Sequence, residues 1–146
     1  MTTDVDTLIE VHERKKDKLA KALADKQGEF NAQEMEIETL QAQRLQTKEA
    51  LNESMAIGVS VGELSLYEHF LTALASRLKN GKRTLRRLQV EVDNRRDNLS
   101  ESIKELQGYE KYRERRIDEM LANQKAAESR ELNEIAIRGF YARKNK

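Results

Sequence analysis

The chain has 146 residues, 36% charged, 38% hydrophobic and 5% aromatic, with no Pro, Trp or Cys. This is poor material for a thick globular core and suits long helices bathed in solvent. The absence of Cys excludes disulfides and thiolate metal sites and fits a reducing compartment. A net charge of +1 gives no global attraction to nucleic acid or to an anionic membrane.

The opening residues, MTTDVDTLIEVHERKK, lack the basic start and apolar core of a signal peptide. Apolar runs are only a few residues long, which predicts no transmembrane helix. Asp4 or Asp6 can cap a first helix, because a short carboxylate accepts the free N–H groups of the first turn. That helix is predicted over about 4–56 and carries two interleaved rows with a seven-residue repeat. One row is Ile9, Lys16, Leu23, Phe30, Ile37, Arg44 and Leu51; the other is Val5, His12, Leu19, Lys26, Gln33, Leu40 and Thr47. Eight of these fourteen positions are apolar, so the seam is leaky. Long cationic side chains can lay their methylenes along such a seam and keep the charge in water.

The GVSVG stretch at Gly58–Gly62 breaks the pattern. Glycine can take the left-handed conformation that ends a helix. A turn at about 57–62 is therefore expected, joining two antiparallel helices. The second helix, about 63–143, holds the stronger repeat. Leu64, Leu71, Leu78, Leu85, Val92, Leu99 and Leu106 are all apolar; Tyr67, Leu74, Gly81, Leu88, Arg95, Ser102 and Tyr109 form a weaker companion row. A stripe of period 3.5 stays on one face only if the helix supercoils left-handedly against a partner. The fold class is therefore all-α: a single-domain antiparallel two-helix coiled-coil hairpin with a longer second helix.

Charge gives an independent expectation for the pairing. With the reversal near residue 60, position i faces about 120 − i. Residues 29–53 hold six acids against Arg44 and Lys48, and the facing residues 67–91 hold six bases against Glu68 and Glu91. Exposed pairs contribute only about 0–1 kcal/mol each, so this complementarity would set register more than stability. The first helix runs out opposite about residue 115. The seven-residue track that holds to Leu106 fails next at Arg113, Arg116 and Asn123, and a shifted apolar set, Ile103, Ile117, Leu121, Leu132 and Ile135, takes over. Apolar residues without an intramolecular partner mark an interaction site or partial disorder.

No catalytic constellation is found. His12 and His69 fall at mismatched heights on opposite helices, so a metal site is not expected. Neither G-x-x-x-x-G-K-S/T nor G-x-G-x-x-G occurs. A thin hairpin has no water-excluding pocket, so neither enzyme activity nor a cofactor is expected. The basic run Arg77–Arg96 has no interleaved aromatic residue for base stacking, and a solvated salt-bridging face is expected there rather than a nucleic-acid site. Leu66 and Phe70 stand off the seam. They either widen it near the turn or anchor a partner protein.

A leaky first helix, a glycine-bearing turn, LSLYEHFLTALASRL and a long charged helix ending in RELNEIA together resemble the flagellar FliJ protein family. Tyr67-x-x-Phe70-Leu71-x-x-Leu74 is the most specific piece, with Glu134-Ile135-Ala136 as the C-terminal sign. The similar stalk components of type III injectisomes, or a general holdase-like or structural coiled coil, are the alternatives. The resemblance implies a non-enzymatic component of the flagellar type III export apparatus, similar to the central stalk of rotary ATPases. Its implied partners are a hexameric export ATPase, the cytoplasmic domain of the membrane export gate, and export chaperones, with no nucleic acid and no membrane insertion. It would be cytoplasmic, peripheral to the inner membrane at the flagellar base. The resemblance places gate binding near the turn, at Phe70 and Leu74 with Leu40 on helix 1, and Leu66 adjoins that set. Gln43, Thr47 and Arg77 depart from the family pattern by being polar. Pore contact with the ATPase ring would fall to Ile117, Leu121, Leu132, Ile135 and Arg138.

Overall fold

The computed structural model describes residues 4–144. The fold is all-α: α1 spans Asp4–Ile57 and the longer α2 spans Val61–Lys144, with no strand among the described residues. Asp4 and Asp6 lie in the first turn of α1, where a negative charge complements the positive helix end. The described residues form two compact units: Lys16–Glu101, and 4–15 with 102–144.

The unit Lys16–Glu101 contains the reversal. The connection is 58–60, shorter than the expected 57–62, and Gly62 lies inside α2. Gly58 has φ +113° and its N–H donates to Ser54 O at 2.9 Å, closing α1 as only glycine does without strain. Ser60 caps α2: its Oγ accepts from the Glu63 N–H at 3.2 Å, and its carbonyl accepts from Leu64 N–H at 3.0 Å. The Ser60-x-x-Glu63 spacing is the signature of a capping box. It places the start of α2 two residues earlier than the glycines alone suggest.

Within this unit the helices run antiparallel. Ile37, Leu40, Leu74 and Leu78 form its buried cluster, with Leu85 packed against it. Gly81 fills a seam position for a steric reason: a Cβ there would stand 3.1 Å from Gln33 Nε2 and 3.3 Å from Ile37 Cγ1. Its carbonyl accepts a hydrogen bond from Gln33 Nε2 at 3.3 Å, which gives the seam amide a partner. At the turn-proximal end the Ser54 and Tyr67 hydroxyls lie 3.3 Å apart.

The expected acid–base ladder is largely absent. Between residues 29–53 and 67–91, the ion pair formed among the described residues is Arg77 Nη2–Glu36 Oε1 at 4.0 Å, with both side chains exposed. Exposed long side chains lose rotamer freedom in forming such pairs and gain little in water. The shorter bridge has reversed polarity. Lys26 Nζ reaches Glu91 Oε2 and Glu29 Oε2, each at 3.0 Å. The hydrogen bond from Lys26 holds the Glu91 carboxyl below its ordinary value, and Glu91 raises Lys26 in return. Register therefore rests on the apolar rows, with the charges filling in around them.

In the other unit, the α1 residues up to Lys15 lie along α2 from Ser102 to Arg113. His12 stacks on Tyr109 with ring centroids 4.7 Å apart, and its Nδ1 lies 3.5 Å from Glu105 Oε2. Lys15 Nζ approaches the same oxygen at 3.6 Å. Arg113 Nη1 donates to Asp6 Oδ1 at 3.4 Å. Ser102 is 1% exposed, and its Oγ has no hydrogen-bond partner among the described residues. From Glu114 to Lys144 every residue of α2 is exposed.

Candidate functional site

Seam burial decides which residues are available to a partner. All fourteen α2 row positions are buried or half-buried, and so are the α1 positions except Arg44, whose guanidinium stays in water. Large apolar side chains outside those rows are exposed along both helices, Leu8, Met35, Leu45 and Val90 among them, and two stretches hold the candidates read from sequence.

The first is an open groove beside the turn, lined by Gln46, Thr47 and Ala50 of α1 and by Leu66, Tyr67 and Phe70 of α2. Leu66 is 71% exposed and Phe70 49%. Both side chains line this groove beside the seam residues Thr47 and Tyr67. Leu40 and Leu74 differ from them. They are 3% and 1% exposed and belong to the buried cluster, so each acts through packing and presents no surface. The four turn-proximal residues singled out by sequence thus divide into an exposed pair and a buried pair. Ala50 and Gln46 were missed. They are unremarkable in sequence, and only the register of α1 against Tyr67 brings them to the groove.

The second place is the end of α2. Ile117, Leu121, Leu132 and Ile135 are all exposed, in company with Arg138. Met120, Ile137, Phe140 and Tyr141 are exposed there too and were not singled out. Phe140 and Tyr141 touch edge to face, with centroids 6.1 Å apart. Their signal was legible in apolar and aromatic residues interspersed with Asn133, Glu134 and Arg138 between Leu132 and Tyr141, which the seven-residue repeat does not select. The remaining candidates assemble nothing. His12 is engaged with Tyr109 and Glu105, His69 is exposed, and no group of three or more His, Cys, Asp or Glu side chains that could hold a metal occurs among the described residues. No helix among the described residues is long and apolar enough to cross a membrane.

Long paired helices with a heptad seam, an exposed aromatic groove at the reversal and an uncovered helix end define an all-α coiled-coil protein. The family model described as Flagellar FliJ protein matches residues 1–145, and the chain belongs to that family. It is a flagellar, export-related protein. A curated relative, the Flagellar FliJ protein of Bacillus subtilis (strain 168), is 26% identical over 136 residues, covering 91% of this chain and 90% of its own. No solved structure matches the chain.

Proposed function

We propose that the chain is a non-enzymatic stalk and adaptor of flagellar protein export. The exposed end of α2 engages a hexameric export ATPase, the groove beside the turn engages the cytoplasmic part of the membrane export gate, and the coil assists export chaperones. Work is then done at the cytoplasmic face of the inner membrane. The mechanism is mechanical and allosteric: a rod held in a ring biases the states of the subunits unequally, and a ligand shifts such an equilibrium only by its differential affinity for the states.

Supporting this reading above all is the exposure of α2 from Glu114 to Lys144, a stretch that keeps eight large apolar side chains in solvent: Ile117, Met120, Leu121, Leu132, Ile135, Ile137, Phe140 and Tyr141. Large exposed apolar surface is unfavourable unless a partner covers it. Arg115, Arg116, Arg130, Arg138 and Arg143 add cationic groups to the same stretch, interspersed with Glu114, Asp118, Glu119, Glu128, Glu131 and Glu134. For the gate, Phe70 is the anchor, since aromatic residues in pockets dominate interface energies.

Co-purification with the hexameric ATPase and stimulation of its hydrolysis separate this role from that of a passive holdase. Phe70→Ala separates the two surfaces. Gate affinity should fall while ATPase stimulation is retained, because Phe70 is half exposed and outside the seam. Unchanged gate affinity would remove the groove from the gate interface.

A further inference from the structure

One charged surface is left unused by the proposed function. From His69 to Val90 α2 contains no acid, and it carries Arg77, Lys79, Lys82, Arg83, Arg86 and Arg87. Arg77 meets Glu36 and Arg87 meets Glu91. Lys79, Lys82, Arg83 and Arg86 are exposed, and none of them has an ion pair or a side-chain hydrogen bond among the described residues. Glu34 and Glu38 of α1 lie near the same height, which the Gln33–Gly81 hydrogen bond fixes, and pair with none of the four. At about 100° per residue the four cations fall within an arc of about 100°, centred about 120° from the seam line of Leu78, Gly81 and Leu85. They follow one another over about 10 Å of rise. Glu68 and Asp93 bound this face, and between them it holds Thr72, Ala75 and Val90 besides the four cations.

We propose that this stripe adsorbs α2 side-on to a bilayer surface containing acidic phospholipid, through the phosphates of the headgroups. Charge selects an anionic partner, because the cations are unneutralised within the chain. Their pull acts over a Debye length and is local, so the near-zero net charge of the whole chain does not cancel it. Side-chain type selects among anionic partners. Between Phe70 and Val90 every large apolar side chain belongs to the seam rows. The stripe therefore has no anchor of the kind that dominates protein interfaces, and no aromatic ring for stacking on bases. No hydrogen bond or ion pair orients the four side chains, which suits mobile headgroups that gather beneath them better than phosphates fixed along a duplex. Contact stays at the level of the headgroups: Val90 is the one large apolar side chain on this face, and no helix among the described residues is long and apolar enough to cross a membrane. Phe70 sits about 160° away around α2, so adsorption leaves the groove beside the turn open. The inference stands on the stripe alone and does not rest on the function proposed above.

Flotation of the full chain with lipid vesicles is the test. Phosphatidylcholine vesicles containing about 30% phosphatidylglycerol should carry the chain at about 50 mM salt and release it at about 500 mM, and pure phosphatidylcholine should not carry it. Lys79→Gln, Lys82→Gln, Arg83→Gln and Arg86→Gln together should weaken binding at least about thirtyfold, since each cation near an acidic bilayer contributes about fivefold. All four side chains are exposed, so the helix melting curve should not change. Arg14→Gln, Lys21→Gln, Lys111→Gln and Lys125→Gln, also exposed, lower the net charge equally and should cost less than about threefold. A duplex of about 20 base pairs and polyglutamate, each at matched charge, should bind more weakly than the acidic vesicles. No flotation with acidic vesicles at low salt, equal losses in the two quadruple variants, or tighter binding to the duplex or to polyglutamate would each overturn the inference.

Discussion

Two stretches of the molecule share a vocabulary and differ in fate. Around Ile37, Leu40, Leu74 and Leu78, aliphatic side chains set among Glu, Lys and Arg are buried. Around Ile117, Leu121, Leu132 and Ile135, the same residue types in the same charged company are exposed. Hydrophobicity alone does not separate them. What separates them is a partner helix in register: the seven-residue track has one, and the shifted track after Arg113 runs where every residue of α2 is exposed. A helix with an apolar face and no intramolecular cover is a surface awaiting another molecule.

Truncating a side chain in each stretch should show the largest contrast. Leu74→Ala should cost about 2–5 kcal/mol, as loss of a fully buried leucine does. Leu121→Ala should stay within about 0.5 kcal/mol. Urea unfolding followed by circular dichroism measures both, and equal costs would erase the distinction. Gly81→Leu should come next, at about 1–3 kcal/mol of overpacking. The Cβ itself would already press on Gln33 and Ile37.

Ser102→Ala sharpens the contrast from the other side. The hydroxyl is buried without a partner, and its removal should raise stability by about 1 kcal/mol, measurable as a higher urea midpoint. The smallest effect concerns pH. Glu91 titrates below its ordinary 4.5, so its ion pair stabilises the fold above that value and is lost as pH falls through the lowered pKa. Lys26 titrates above its ordinary 10.5, so its contribution is present below that value and is lost as pH rises through the raised pKa. Glu91→Gln should flatten both edges of the stability–pH curve, and unchanged edges would place the bridge outside the folding balance.

Much of this was legible in the sequence, for a physical reason. A side chain repeating every 3.5 residues can be covered only along one line, so the rows through Leu64 and Leu74 name buried positions directly. Even Gly81, Ser102 and His12, odd residues for a seam, lie in it because period outweighs composition. The turn was placed by its glycines, and its α2 edge is set by the cap at Ser60, a side-chain hydrogen bond that glycine counting ignores. The charge ladder failed because opposite net charges on facing stretches do not determine which exposed side chains meet. The groove was half legible. Leu66 and Phe70 betray themselves by standing off the seam, whereas Gln46 and Ala50 are brought there by register alone. In the tail, a repeat-based search finds Ile117 and Ile135 and passes over Phe140 and Tyr141, whose importance lies in exposure.

The central claim is that the covered seam holds the protein together while the uncovered tail works on another molecule. It is tested most directly by ending the chain after Arg115 and measuring stimulation of the export ATPase beside the full-length protein. The removed residues that the structure describes, 116–144, are all exposed, so the helix melting curve should be nearly unchanged. The account predicts that stimulation is lost while gate binding through the groove beside the turn survives. Full stimulation by the shortened chain would contradict it and would remove the tail from the ATPase interface.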